Sequence, residues 1–164
     1  MPSLLFFKCR VFFLLAKMKA QKLELRIDWG DLDLLGHFNN VSIVRYCQAA
    51  RLHFITAIDL TPTPGMSFGP IEAAASLQFQ HQLHFPGNIT IYTTIQEIKH
   101  TSFILEHRIF DDQGVQAVYC TEVVVCFDFV NQVKVPIPDR IRANIAAYTD
   151  GFTDEIPSGT TTQS

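Results

Sequence analysis

Asp31 and Asp33 stand two residues apart in the stretch GDLDLLGHFNN, Gly30 to Asn40, and His37, Asn39 and Asn40 follow within it. The stretch runs directly into a segment that reads as helix. A helix N-terminus presents unpaired N–H groups and a partial positive charge. A carboxylate beside it is held ionised, and a polarised carbonyl oxygen can dock on the same amides. That combination suits attack on an electrophilic carbonyl. On spacing alone, Asp31 or Asp33 and Asn39 serve equally well as loop and cap residues. The four cysteines (Cys9, Cys47, Cys120 and Cys126) show no CxxC and no paired metal-ligand spacing. Cys120 and Cys126 fall on one strand about 20 Å apart, too far to bridge. Buried free thiols in a reducing compartment are the expectation, with no metal, no cofactor and a cytoplasmic location.

The elements that must position this stretch follow from periodicity. Lys22 to Trp29 alternates through Leu23, Leu25 and Ile27, a half-buried strand. Asn40 to Leu60 is predominantly apolar without Gly or Pro, with Val44, Cys47, Phe54, Ile55 and Ile58 on one side and Ile43, Tyr46, Ala50 and Ala57 on a second. A helix apolar nearly all round is a buried one, and TPTPG (Thr61 to Gly65) ends it. The period then becomes two. Strands are expected over Ile71 to Phe85, Ile89 to Ile98, Thr101 to Phe110 and Val115 to Phe129, with turns at Pro86-Gly87-Asn88 and DDQG (Asp111 to Gly114). A short helix, Pro138 to Tyr148, closes the pattern. One strand, one buried helix and four long antiparallel strands describe an α+β chain, a sheet curled around a single helix.

Composition narrows the function. The chain has 164 residues, 48% hydrophobic and 18% charged, with 14 Phe, which suits one ordinary domain rather than a disordered chain. A net charge of −3 gives no basic footprint for nucleic acid. No apolar run approaches the roughly 20 residues of a membrane span. Residues 1–17 are apolar, dotted with basic residues and free of acids. They read as an upstream extension of the reading frame with Met18 as the start, or as a basic amphipathic anchor. The domain is expected over 18–148, with a disordered polar tail over 149–164.

Strand, GD-x-D-x-x-G-H-x-N-N, then a helix containing RY and AAR resembles the hot-dog-fold acyl-CoA thioesterases of the 4-hydroxybenzoyl-CoA thioesterase type. The resemblance runs from about Leu23 to Ile145 and takes in FPGN (Phe85 to Asn88) and VPIPDRIR (Val135 to Arg142). It implies a hot-dog fold, a five-stranded antiparallel sheet wrapped around one long buried helix. It also implies that Asp33, the second aspartate of the pair, is the catalytic carboxylate. The Asn40 backbone amide would polarise the thioester carbonyl, and His37 and Asn39 would border the pocket. Asp31 reads as a residue that fixes the loop. Departures occur at Ile43, where relatives commonly carry tyrosine, at Gln48, where glutamate is frequent, and at Gly87-Asn88, where Gly-Asp is usual. Gln48 cannot be a base, so a mechanism built on a helix carboxylate is excluded.

The expected reaction is hydrolysis of an acyl thioester to the free acid and coenzyme A, with Asp33 as base or nucleophile. The acyl group would lie against Tyr46, Ala50 and Phe54, and the phosphates of the carrier near Lys99, His100, Ser102 and Arg108. Rival readings are a non-catalytic acyl-CoA-binding module, an acyl-carrier-protein thioesterase and a hot-dog hydratase; for the last, His53 is the helix's only histidine and lacks a helix acid beside it. The strand after the helix would lie at a sheet edge, and its three alanines, Ala73 to Ala75, would allow a second copy close approach. A homodimer or homotetramer is therefore expected.

Overall fold

The computed structural model describes residues 20–149; the extension over 1–17, Cys9 and the tail from 150 lie outside the described residues. Strand β1 (Gln21–Arg26) alternates between half-buried and exposed positions, with Leu23 and Leu25 turned toward the core. Helix α1 (Asn40–Ala57) follows, then β2 (Phe68–Phe79), β3 (Asn88–Ile98), β4 (Ser102–Asp111) and β5 (Gln116–Asp128). A two-residue strand β6 (Val133–Lys134) pairs with β5, and helix α2 (Asp139–Ala146) is the last element described. The strands pair antiparallel, in the order β1-β3-β4-β5-β2, and one isolated parallel bridge joins Ile95 to Thr149. The five long strands curl around α1 in a hot-dog fold. Strands β1 and β2 are the sheet edges.

Two details differ from the periodicity. The alternation through Phe85 reads as one strand, but β2 stops at Phe79 because the Gln80 and His81 amides both donate to the Ala117 carbonyl and break the ladder. Beyond that point Leu83 turns into the core. Helix α1 is covered along one side only, through Ile43, Tyr46, Cys47, Ala50, Phe54 and Ile55. Val41, Val44 and Leu52 are exposed, because a single sheet can cover only one side of a helix.

The interior divides into two apolar clusters. The first, around Ile43, Tyr46, Ile91 and Ile109, lies under the N-terminal half of α1. The second, around Phe54, Ile58, Phe103 and Ile145, lies under its C-terminal half, with Tyr148 edge-on to Phe54. Between them runs a belt of polar side chains, buried at Thr93, His107 and Glu122 and reaching the surface at Glu72 of β2. Thr93 meets His107 at 2.8 Å, His107 meets Glu122 at 3.2 Å, and Arg51 of α1 lies 2.8 Å from Glu122 and 2.6 Å from Glu72. The Arg51 contacts are ionic rather than aligned hydrogen bonds, since its Nη1 has no hydrogen-bond partner of good geometry. Burial pushes the Glu122 carboxyl up, but the His107 hydrogen bond and the His107 and Arg51 charges outweigh it and hold the group below the ordinary glutamate range. Glu122→Ala takes the buried carboxylate from between Arg51 and His107, leaving Arg51 only the half-exposed Glu72 and His107 only Thr93, and is expected to cost about 3 kcal/mol. The measurement is urea unfolding, in which the midpoint falls and the slope stays constant.

Candidate active site

The loop from Asp31 to Asn40 is built by its own polar residues. Asp31 is buried, a position its flanking sequence does not announce. Its carboxylate accepts from the Asp28 amide at 2.9 Å, from the Tyr46 hydroxyl at 2.5 Å and from Arg45 at 2.7 Å. Its carbonyl takes the Asn39 amide at 2.8 Å. Asp31 therefore ties the end of β1 to the first turns of α1. Burial raises its pKa, yet the Tyr46 hydroxyl, the Asp28 amide, Ser42 and the Arg45 charge together leave it below the ordinary aspartate range. A depressed folded pKa gives stability that is complete above the ordinary carboxylate range and is lost as pH falls through the depressed value. Asp31→Asn should therefore flatten the acid limb of unfolding free energy as pH falls from about 5 through the depressed value. An unchanged acid limb in the variant would overturn this assignment.

Asp33 sits outside that buried knot, exposed on the loop. Its Oδ1 accepts from the Leu35 and His37 amides, both at 2.9 Å, while its own amide donates to the His37 carbonyl at 2.7 Å. The turn requires a left-handed residue, and Gly36 supplies it with φ of +76°. One carboxylate oxygen is thus spent on fixing the loop, and Oδ2 takes no part in these bonds.

Two turns of hydrogen bonding then organise the helix start. Asn39 is the N-cap, its side chain accepting from the Val41 amide at 2.9 Å. The Ser42 and Ile43 amides donate to the Asn39 carbonyl. The Asn40 amide alone among these first N–H groups stands outside the capping set. A fixed carboxylate and an uncommitted helix N–H on one short loop can polarise a carbonyl and deliver a proton acceptor to it.

A cleft of about 380 Å³ opens beside the loop, lined by His37, Phe38 and Ile43 on one side and by Phe79, Gln80, His81, Gln82, Leu83 and Val118 on the other. The strand-like pattern of the sequence conceals Gln80, His81 and Gln82 as lining residues, because the break in β2 that presents them depends on Ala117 across the sheet. Phe38 stacks on Tyr46 with ring centroids 5.6 Å apart.

The remaining candidates divide. Asp33, His37, Asn39 and Asn40 share the loop. Tyr46 is buried, its hydroxyl held by Asp31. Phe54 is fully buried in the second cluster, away from the cleft. Lys99, ion-paired with Glu97 at 3.4 Å, and Ser102 lie in the β3–β4 hairpin. That hairpin adjoins the C-terminal end of α1, beside Ile98, Phe103 and Ile58. Within one chain it is separated from the Asp33 loop by a helix about 27 Å long. Arg108 is engaged with Glu106 on β4. Among the described residues no group of His, Cys, Asp and Glu is placed to hold a metal ion, and no helix is long and apolar enough to cross a membrane.

Comparison with known proteins follows the same lines. Residues 27–145 match the family model described as the thioesterase-like superfamily. Among solved structures, a gentisyl-coenzyme A thioesterase, BH1999, is 29% identical with a TM-score of 0.68, covering 76% of this chain and 99% of its own. The PA2801 protein of Pseudomonas aeruginosa is 22% identical with a TM-score of 0.72, covering 77% of this chain and 99% of its own. The SAV2348 protein of Staphylococcus aureus, solved in complex with CoA, is 10% identical with a TM-score of 0.77, covering 84% and 88%. The last two show the fold alone. No curated protein matches in sequence.

Proposed function

The chain belongs to the thioesterase-like superfamily and is a thioester hydrolase, and on that premise we propose that it hydrolyses acyl-CoA at the Asp33 loop. The observation that carries the assignment is an Asn40 amide left outside the helix cap at the end of a loop whose Asp33 carboxylate keeps one oxygen out of the loop's own hydrogen bonds. The thioester carbonyl oxygen docks on the Asn40 N–H, which stabilises the oxyanion as it develops. Asp33 Oδ2 takes a proton from water as the water oxygen bonds to the carbonyl carbon. The tetrahedral intermediate expels the thiolate, which recovers that proton. The acyl group lies in the cleft lined by Phe38, Ile43 and Phe79 rather than against Tyr46 or Phe54, which are buried away from solvent. His37 borders the same cleft on the side of the leaving thiol. Two copies joined through β2 form the working unit.

Thiol release measured across short-chain, long-chain and aromatic acyl-CoAs, with acyl carrier protein thioesters in parallel, tests this reading. Turnover above the uncatalysed rate for at least one acyl-CoA is expected. Tight acyl-CoA binding with no thiol release from any of them would identify a binding module instead.

A further inference from the structure

The belt behind Arg51 has no part in the hydrolytic steps above, yet it ends at the open edge of the sheet. The side chains of His107 and Glu122 are 0% and 2% exposed, while that of Glu72, on β2, is 34% exposed. Glu72 and Arg51 also wall a second cavity of about 200 Å³, with Gln48, Leu52 and Ile71 among its other lining residues. Buried charges cost free energy unless paired, so a chain of them that surfaces at a cavity marks a site candidate.

The register of β2 says where that cavity goes when two copies pair. Pairing with β5 is interrupted by a bulge between Glu72 and Ala74, and with the extra residue allowed for, Pro70, Glu72, Ala75, Leu77 and Phe79 share the face toward the helix. With the bulge residue skipped, antiparallel twofold pairing centred on Ala74, Ala75 or Ser76 sets Glu72 of the partner subunit opposite Ala75, Leu77 or Phe79 respectively. Phe79 shares its cleft with His37 and Phe38, and His37 is bonded to Asp33. Pairing centred on Ser76, which sets Glu72 opposite Phe79, therefore brings the second cavity of one copy against the first cleft of the other.

We propose that the active site is completed in trans by Glu72, whose carboxylate orients the attacking water, and that Arg51 is the positioning residue that holds Glu72 in place. The inference rests on the hydrolytic reading given above. Water that attacks a thioester carries two hydrogens: Asp33 takes one as a proton, and the other needs an acceptor that fixes the direction of the oxygen lone pair. Glu72 gives one oxygen to Arg51 at 2.6 Å and keeps the other for this purpose. The water oxygen bonds to the carbonyl carbon, the proton passes to Asp33, and the carbonyl electron pair moves onto the oxygen at the Asn40 amide. The C–S bond then breaks and the thiolate takes the proton from Asp33. Glu72 neither gains nor loses a proton.

The experiment uses full-length subunits carrying two different tags, co-expressed so that heterodimers of Asp33→Asn with Glu72→Ala can be purified apart from either homodimer. The Glu72→Ala homodimer should lose about thirtyfold in kcat with KM changed less than about threefold. The heterodimer holds one doubly defective site and one intact site, so it should recover about half of the wild-type rate per dimer. Arg51→Met should reproduce the kcat loss and Arg51→Lys should restore part of it. A heterodimer no more active than the mean of its parents, or a Glu72→Ala homodimer with wild-type kcat, overturns the proposal. Should Glu72→Ala fail to assemble, Glu72→Gln, which keeps the shape and loses the charge, is read in the same heterodimer. An Asp33→Asn homodimer with full activity would instead strike the hydrolytic reading itself.

Discussion

Asp33→Asn is expected to reduce kcat at least about a hundredfold, the lower end of what a single acid–base group contributes, with fold and acyl-CoA binding retained. The loop geometry is what makes this separation of effects predictable. Asp33 Oδ1 accepts the Leu35 and His37 amides, and the asparagine carbonyl oxygen can accept both in the same positions. What the substitution removes is the basicity of the second oxygen. Asp31→Asn should behave in the opposite way, because Asp31 answers to the Arg45 guanidinium and the Tyr46 hydroxyl rather than to solvent. Its loss should appear in acid stability. Thiol-release kinetics and urea titrations on both variants check the pair. Retained turnover in Asp33→Asn together with lost turnover in Asp31→Asn would reverse the assignment.

Ala74→Asp should weaken dimerisation about a hundredfold and lower activity with it, although the residue does no chemistry. Ala74 lies on the exposed edge of β2 opposite Val123, whereas Ala75 faces the buried Glu122. An acid at 74 therefore stays in water in the isolated chain and leaves its stability nearly unchanged. Across a twofold axis near this position the two new carboxylates would approach each other, at a cost of about 3 kcal/mol, or that hundredfold in Kd. Sedimentation over a range of concentrations, run beside the thiol-release assay, reads both effects. A wild-type protein that is monomeric and fully active at assay concentration would refute the shared site.

The elements of the fold could be read in the sequence because each rests on local periodicity: the alternation of β3 to β5, the apolar run of α1 and its stop at TPTPG. The loop motif likewise located Asp33, His37, Asn39 and Asn40, which stand together because they are neighbours in the chain. What local pattern cannot carry is convergence. Arg51, Glu72, Thr93, His107 and Glu122 come from five different elements, and each taken alone fits its helix or strand. His107 in particular occupies an inward position between Leu105 and Ile109, where alternation suggests only another core residue. The distance between Lys99 or Ser102 and the Asp33 loop is hidden for the same reason, since only the antiparallel path of β3 and β4 carries that hairpin to the far end of α1. Phe54 carries the apolar signature of a ligand wall, and α2 with Tyr148 closes over it.

The polar belt also bears on how the chain reaches a single arrangement. A sheet interior made only of aliphatic side chains tolerates strands that slide by two residues, because the inward face stays apolar after the slip. Here a two-residue slip of β4 would bring Leu105 or Ile109 to the place of His107. Glu122 would then be left charged beside hydrocarbon, with only Arg51 to answer it. The same slip in β3 would take Thr93 away from the imidazole, and one in β5 would draw Glu122 away from the guanidinium. Each misalignment loses partners for groups already removed from water, so four strands and a helix are checked against one another at a single layer. Mispaired sheets, the characteristic hazard of a topology dominated by long-range contacts, are thereby penalised at the centre of the fold rather than at its turns.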